Sequence, residues 1–161
     1  MQEMRNVIIL GCGRSGTSAV AGSLITANPE YLRDDYVPAR ISNPDGTFEP
    51  IAVRSINEGI LARVVPKRPP QVEVSDIPTQ WQRWLARIPL ETLIATTPSI
   101  NAKINNITKK KPYCLKDPRF SYTLEVWKPY LQDTVFVCMF RHPAETAQSI
   151  LRFVEEFELM N

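Results

Sequence analysis

Three short apolar runs stand out from a chain that is otherwise mixed or amphipathic. Residues 6–10 (NVIIL), 113–116 (YCLK) and 134–140 (TVFVCMF) are continuous rather than alternating, the pattern of strands buried on both faces of a sheet. Elsewhere the apolar positions recur every three or four residues. Residues 51–64 place Val53, Ile56, Ile60, Leu61 and Val64 on one helical face, with Arg54 and Glu58 on the solvent side. Residues 16–27 predict a helix whose Ala19, Ala21 and Gly22 let it lie close to the sheet, and Asn28-Pro29 ends it. Trp81, Trp84, Leu85 and Ile88 predict a short amphipathic helix, its tryptophans packed in a core or lid rather than stacked on a ligand. Residues 90–107 predict a helix interrupted at Pro98, and residues 121–131 a short helix. After Pro143 comes a helix with an apolar stripe of Ala147, Ile150, Leu151 and Val154. Prolines 66, 69, 70 and 78 mark a linker at residues 65–79 inside a single domain, 1–161.

Strands alternating with helices predict an α/β protein, three layers deep, with a parallel sheet and right-handed crossovers. A chain of 161 residues suffices for one domain with a core. The net charge of +2 makes no case for nucleic acid and leaves room for a local anion site. No run is long enough to span a membrane, and the first residues lack the pattern of a secretory signal. Cys12, Cys114 and Cys138 are odd in number and lie in or beside strands, which predicts reduced, buried thiols in a cytoplasmic protein. Ligand spacing for a metal is absent, and His142 is the only histidine. The Lys109, Lys110, Lys111 cluster reads as a solvated turn.

The candidate chemistry gathers where the strands end. Gly11, Gly13 and Gly16 interrupt the first strand just before a helix. A strand, a glycine-rich turn and a helix N-terminus together make a cradle for phosphate. Gly11 and Gly16 have the spacing of a nucleotide triphosphatase loop, but Thr17 stands where that motif has Lys, and the turn's cation is Arg14. An Arg fork suits a pair of phosphate or sulfate oxygens. The second strand delivers Lys116, Asp117 and Arg119 to the same edge, and the third delivers Arg141. In a parallel sheet this edge is where ligands bind. The converging cations predict an anion site for more than one phosphate.

These residues resemble a family. The run GCGRSGTS (11–18) looks like the 5′-phosphosulfate loop of sulfotransferases that use 3′-phosphoadenosine-5′-phosphosulfate (PAPS). Arg141-His142-Pro143, followed by Ser149, looks like their 3′-phosphate motif; Lys116-Asp117-Pro118 and the segment NPDGTFE (43–49) are similar to stretches of the bacterial branch. The likeness runs through the whole chain, loosely over residues 65–113. It implies a P-loop fold. That family's sheet has five strands where three are evident here, so the expectation is an incomplete version of the fold, truncated at the C-terminus, whose activity the short chain puts in question. It implies that Gly13, Arg14, Ser15, Gly16, Thr17 and Ser18 hold the 5′-phosphosulfate, and that Arg141 and Ser149 hold the 3′-phosphate. Arg14 and Lys116 would neutralise charge during transfer. Glu49 leads as the general base, with Asp34 and Asp35 close behind; His142 is set aside because it lies within the 3′-phosphate motif. The acceptor would be a hydroxyl on a small molecule, glycan or lipid. Two rivals stand beside this reading: a P-loop small-molecule kinase and a non-catalytic, truncated nucleotide-binding module.

Overall fold

The first apolar run becomes the middle of the sheet. β1 (Asn6–Leu10) pairs in parallel with β2 (Cys114–Lys116) on one side and β3 (Thr134–Cys138) on the other, in the order β2-β1-β3. The computed structural model describes residues 4–33, 35–37, 46–65, 83–84, 86, 88–89 and 91–158, with side chains to residue 153. Asp34, Trp81, Leu85 and, apart from Val65, the linker predicted at 65–79 lie outside the described residues.

Alternation along β1 feeds two cores. Val7 and Ile9 join Ala21 and Ile25 of α1 (Thr17–Ala27) on one face. Ile8 joins Val53, Ile56 and Ile60 of α2 (Ile51–Leu61), Ile104 of α3 (Pro98–Thr108), and Phe120 and Trp127 of α4 (Phe120–Trp127) on the other. The molecule is thus α/β, with a parallel sheet covered by helices on both faces. Among the described residues no helix is long and apolar enough to cross a membrane.

Two helix boundaries follow from proline. Pro98 opens α3 instead of interrupting it: Thr97 caps the helix by accepting from the Ile100 N–H (3.2 Å), and residues 91–97 are not helical. A proline in the first turn gives up an N–H that has no helical partner there. After α4, Pro129 sits in a single 3-10 turn, Lys128–Tyr130, that replaces the last turn of the predicted helix.

Other expectations need correction. β3 is not buried on both faces. Val135 is 38% and Phe136 45% exposed: β3, like the buried β2, is an edge strand among the described residues, but it is covered incompletely. Cys12 and Cys138 are exposed, and only Cys114 is buried. Glu58 turns inward from α2, toward buried cations. α5 (Pro143–Glu158) turns Thr146 and Ser149 inward and leaves Ala147 and Leu151 exposed, so its buried face is rotated from the predicted stripe toward the glycine turn.

Candidate functional site

β1 ends in the glycine turn. Gly11 has φ 149°, and a Cβ there would lie 2.8 Å from the Met139 carbonyl oxygen, so the backbones of β1 and the residue after β3 approach too closely for a side chain. The Ser15 hydroxyl and N–H both donate to the Cys12 carbonyl, at 2.6 and 3.2 Å, and tie the turn to itself. Gly16, at φ 95°, starts α1 with no side-chain cap. The first turn of α1 therefore keeps its partial positive charge facing the turn's mouth. Thr17 is buried and Ser18 half-buried.

Arg14 has φ 69°, left-handed backbone that is uncommon for a side-chain-bearing residue. Its side chain reaches α5, where Nε donates to Ser149 Oγ at 3.0 Å. The guanidinium lies 5.7 Å from the centroid of the Phe153 ring, within cation–π range. Arg141 donates from Nη1 to the Arg14 carbonyl at 3.4 Å and pairs with Glu145 at 2.9 Å, an exposed pair of small energetic weight. Arg14, Arg141 and Ser149, though as much as 135 residues apart in sequence, thus meet at one edge of the sheet.

The end of β2 is chemically different. Lys116 donates to Glu49 Oε1 at 2.7 Å and to Ser18 Oγ at 3.3 Å. Behind it, Arg119 donates from Nε to Glu58 Oε1 (2.6 Å) and from Nη1 to Asp117 Oδ1 (3.1 Å), and lies 4.0 Å from Glu49 Oε2. Glu58 Oε2 accepts from Arg83 Nη1 at 2.8 Å. Among the described residues, three cations and three carboxylates are thus buried together. Burial alone pulls the Arg119 guanidinium down, but Asp117, Glu58 and Glu49 outweigh it and hold the group above its ordinary range.

Glu49 reaches this cluster through the loop before α2. Phe48 adopts φ 52°, and its ring fills the space where a Cβ on Gly22 of α1 would lie, 2.7 Å from ring carbon Cε2. The Val37 N–H donates to the Glu49 carbonyl at 2.9 Å. Asp35 is committed elsewhere: its carbonyl and carboxylate accept from the N–H groups of Ile51 and Ala52 (2.7 and 3.3 Å), at the start of α2. His142 is exposed, and its carbonyl accepts from the Thr146 N–H at 3.1 Å.

The predicted site residues therefore fall into two groups, the glycine turn with Arg14, Arg141 and Ser149, and the Glu49–Lys116 pair, with Ser18 touching both. Arg119 does not join the anion edge, since buried carboxylates surround it. Sequence reasoning missed Glu58, Arg83 and Phe153. The sequence carries no signal for Glu58: by period it lies on the polar side of α2, and its cations Arg83 and Arg119 come from distant segments. Compared with known proteins, the chain matches no family model, no curated protein and no solved structure.

Proposed function

We propose that this chain is a sulfotransferase domain that takes PAPS as donor and a hydroxyl as acceptor. The reading rests on the resemblance of the glycine turn and of Arg141 to Ser149, and one observation carries it: the Arg14 Nε to Ser149 Oγ hydrogen bond (3.0 Å), which makes the two matching motifs neighbours. The uncapped first turn of α1 beside a glycine-built loop fits the 5′ end of such a donor. In this reading the loop amides, with Thr17 and Ser18, hold the 5′ end, and Arg141 with Ser149 the 3′-phosphate.

PAPS, when bound, supplies an activated sulfuryl group on a bisphosphate leaving group. Arg14 offsets charge at the leaving phosphate. Lys116, reaching Ser18 at the mouth of the turn, brings a second positive charge to the same side. Glu49 is the base, and its Oε2, the oxygen not bonded to Lys116, takes the acceptor's proton. The P-loop and sulfotransferase description of the fold belongs to this proposal as well.

The Glu49–Lys116 pairing favours a second reading, a nucleotide-binding module without transfer, because each candidate transfer group is engaged by the other. Calorimetry with 3′,5′-adenosine bisphosphate tests the shared part. Charge-assisted hydrogen bonds contribute about 1.5–3 kcal/mol, so Arg14→Ala and Arg141→Ala should each weaken binding by about 10- to 150-fold. A wild-type protein that does not bind the bisphosphate refutes both readings. Sulfation of a hydroxyl acceptor that is lost in Glu49→Gln selects the enzyme over the module.

A further inference from the structure

Trp84 has no role in the chemistry above, yet it sits hard against the glycine turn. A Cβ on Gly13 would lie 2.3 Å from Cζ3 and 2.6 Å from Cε3 of the indole, so this glycine is the seat of a ring. The same indole meets the Phe153 ring edge-to-face, with centroids 6.2 Å apart at 65°, and Phe153 in turn lies beneath the Arg14 guanidinium. Trp84 is firmly mounted. The preceding residue, Arg83, is buried, with Nη1 on Glu58 Oε2 (2.8 Å) and Nε on the Val65 carbonyl (3.1 Å). Two residues on, the Ala86 carbonyl accepts from the Tyr122 hydroxyl at 3.0 Å. The backbone on either side of the ring is thus pinned to α2 and α4, while the ring itself bears on the turn and on α5.

We infer that Trp84 is a positioning residue of the anion site: held through Arg83, it braces Gly13 from outside and fixes Phe153, and through it the guanidinium of Arg14. The inference rests on the anion-site reading, but on no particular nucleotide. Its physical basis is preorganisation. An anion gains most from amides and a guanidinium already in place, and displacement of such groups by about 1 Å can cost about a hundredfold. A ring against the turn also keeps water from one side of it, which strengthens the charge interactions inside.

The test is a double-mutant cycle read by calorimetry with two probes, inorganic pyrophosphate and 3′,5′-adenosine bisphosphate, on variants whose melting temperatures are recorded alongside. Trp84→Ala and Gly13→Ala should each weaken both probes about tenfold or more. In the Trp84→Ala background, Gly13→Ala should then cost nothing further, because the ring it collides with is gone. Trp84→Phe, which keeps an aromatic face on Phe153, should stay within about threefold of wild type. Trp84→Leu repeats the cycle with a bulkier side chain if Trp84→Ala does not fold. Unchanged affinity in Trp84→Ala or Trp84→Leu, or full additivity with Gly13→Ala, overturns the inference. Wild-type binding of pyrophosphate but not of the bisphosphate, with the dependence on Trp84 intact, upholds the inference and rejects the nucleotide reading. Binding of neither probe rejects both.

Discussion

Glu58→Gln is the sharpest perturbation the buried charge cluster offers. Its carboxylate is the joint between two guanidinium groups, Arg119 Nε at 2.6 Å and Arg83 Nη1 at 2.8 Å. All three side chains are at most 5% exposed, so solvent screens little of the interaction. Glutamine keeps the shape and removes the charge. Among the described residues it leaves three buried cations against two carboxylates, and one of its two polar atoms becomes an amide donor aimed at a donor. Breaking a buried pair from one side costs about 3–5 kcal/mol. That is a large share of the 5–15 kcal/mol typical of a domain, and for a chain of this size it corresponds to a fall in Tm of about 6–20 °C. Urea unfolding followed by the fluorescence of buried Trp127, with thermal melts alongside, measures it. Glu145→Gln is the control. Its partner Arg141 is also a guanidinium, at 2.9 Å, but both side chains are more than a third exposed, and the expected loss is below about 1 kcal/mol. A Glu58→Gln protein within about 1 kcal/mol of wild type would refute the idea that the ion pairs of Glu58 with Arg83 and Arg119 stabilise the fold.

Other outcomes follow from single contacts. Gly11→Ala should destabilise by about 1–3 kcal/mol in urea unfolding, because its Cβ meets a carbonyl oxygen that cannot swing aside. Asn57→Ala strands the Trp127 indole N–H, which donates to Asn57 Oδ1 at 2.8 Å; Thr123 keeps a second acceptor, the Arg119 carbonyl, so the loss should be that of one buried donor, about 1–3 kcal/mol. Burial pushes the Cys114 thiol up to about 11 from its ordinary 9.0, so the native state holds its proton where the unfolded state has lost it. That contribution to stability is fully present below about pH 9 and is lost as pH rises through about 11; unfolding curves of wild type and Cys114→Ala across this window should converge. At pH 8 a thiol reagent should label Cys12 and Cys138 and spare Cys114, as peptide mapping would show.

The strands were legible because their signal is local. A run such as VIIL, bounded by glycine, has few alternatives, and β1 begins and ends where the pattern says. The glycine turn was legible for the same reason, and α1, α2 and α5 start within a residue of their predicted positions. What could not be read was partnership across the sheet. Glu58 falls on the polar side of its own helix by periodicity, and only the arrival of Arg119 and Arg83 from distant segments makes burial affordable. Ser149 and Phe153 read as ordinary helix residues until α5 is laid beside Arg14. β3 misled in the opposite direction, since an apolar composition reports what a strand can bury, not what stands beside it.

That outer strand has a practical consequence. Among the described residues no strand pairs with the far side of β3, so that side, with Val135 and Phe136 in view, offers backbone donors and acceptors to an extended segment of similar character. Concentrated solutions should therefore cloud or form larger species before the fold itself fails. A lone lysine in place of Phe136 should postpone that point, with the melting temperature barely altered.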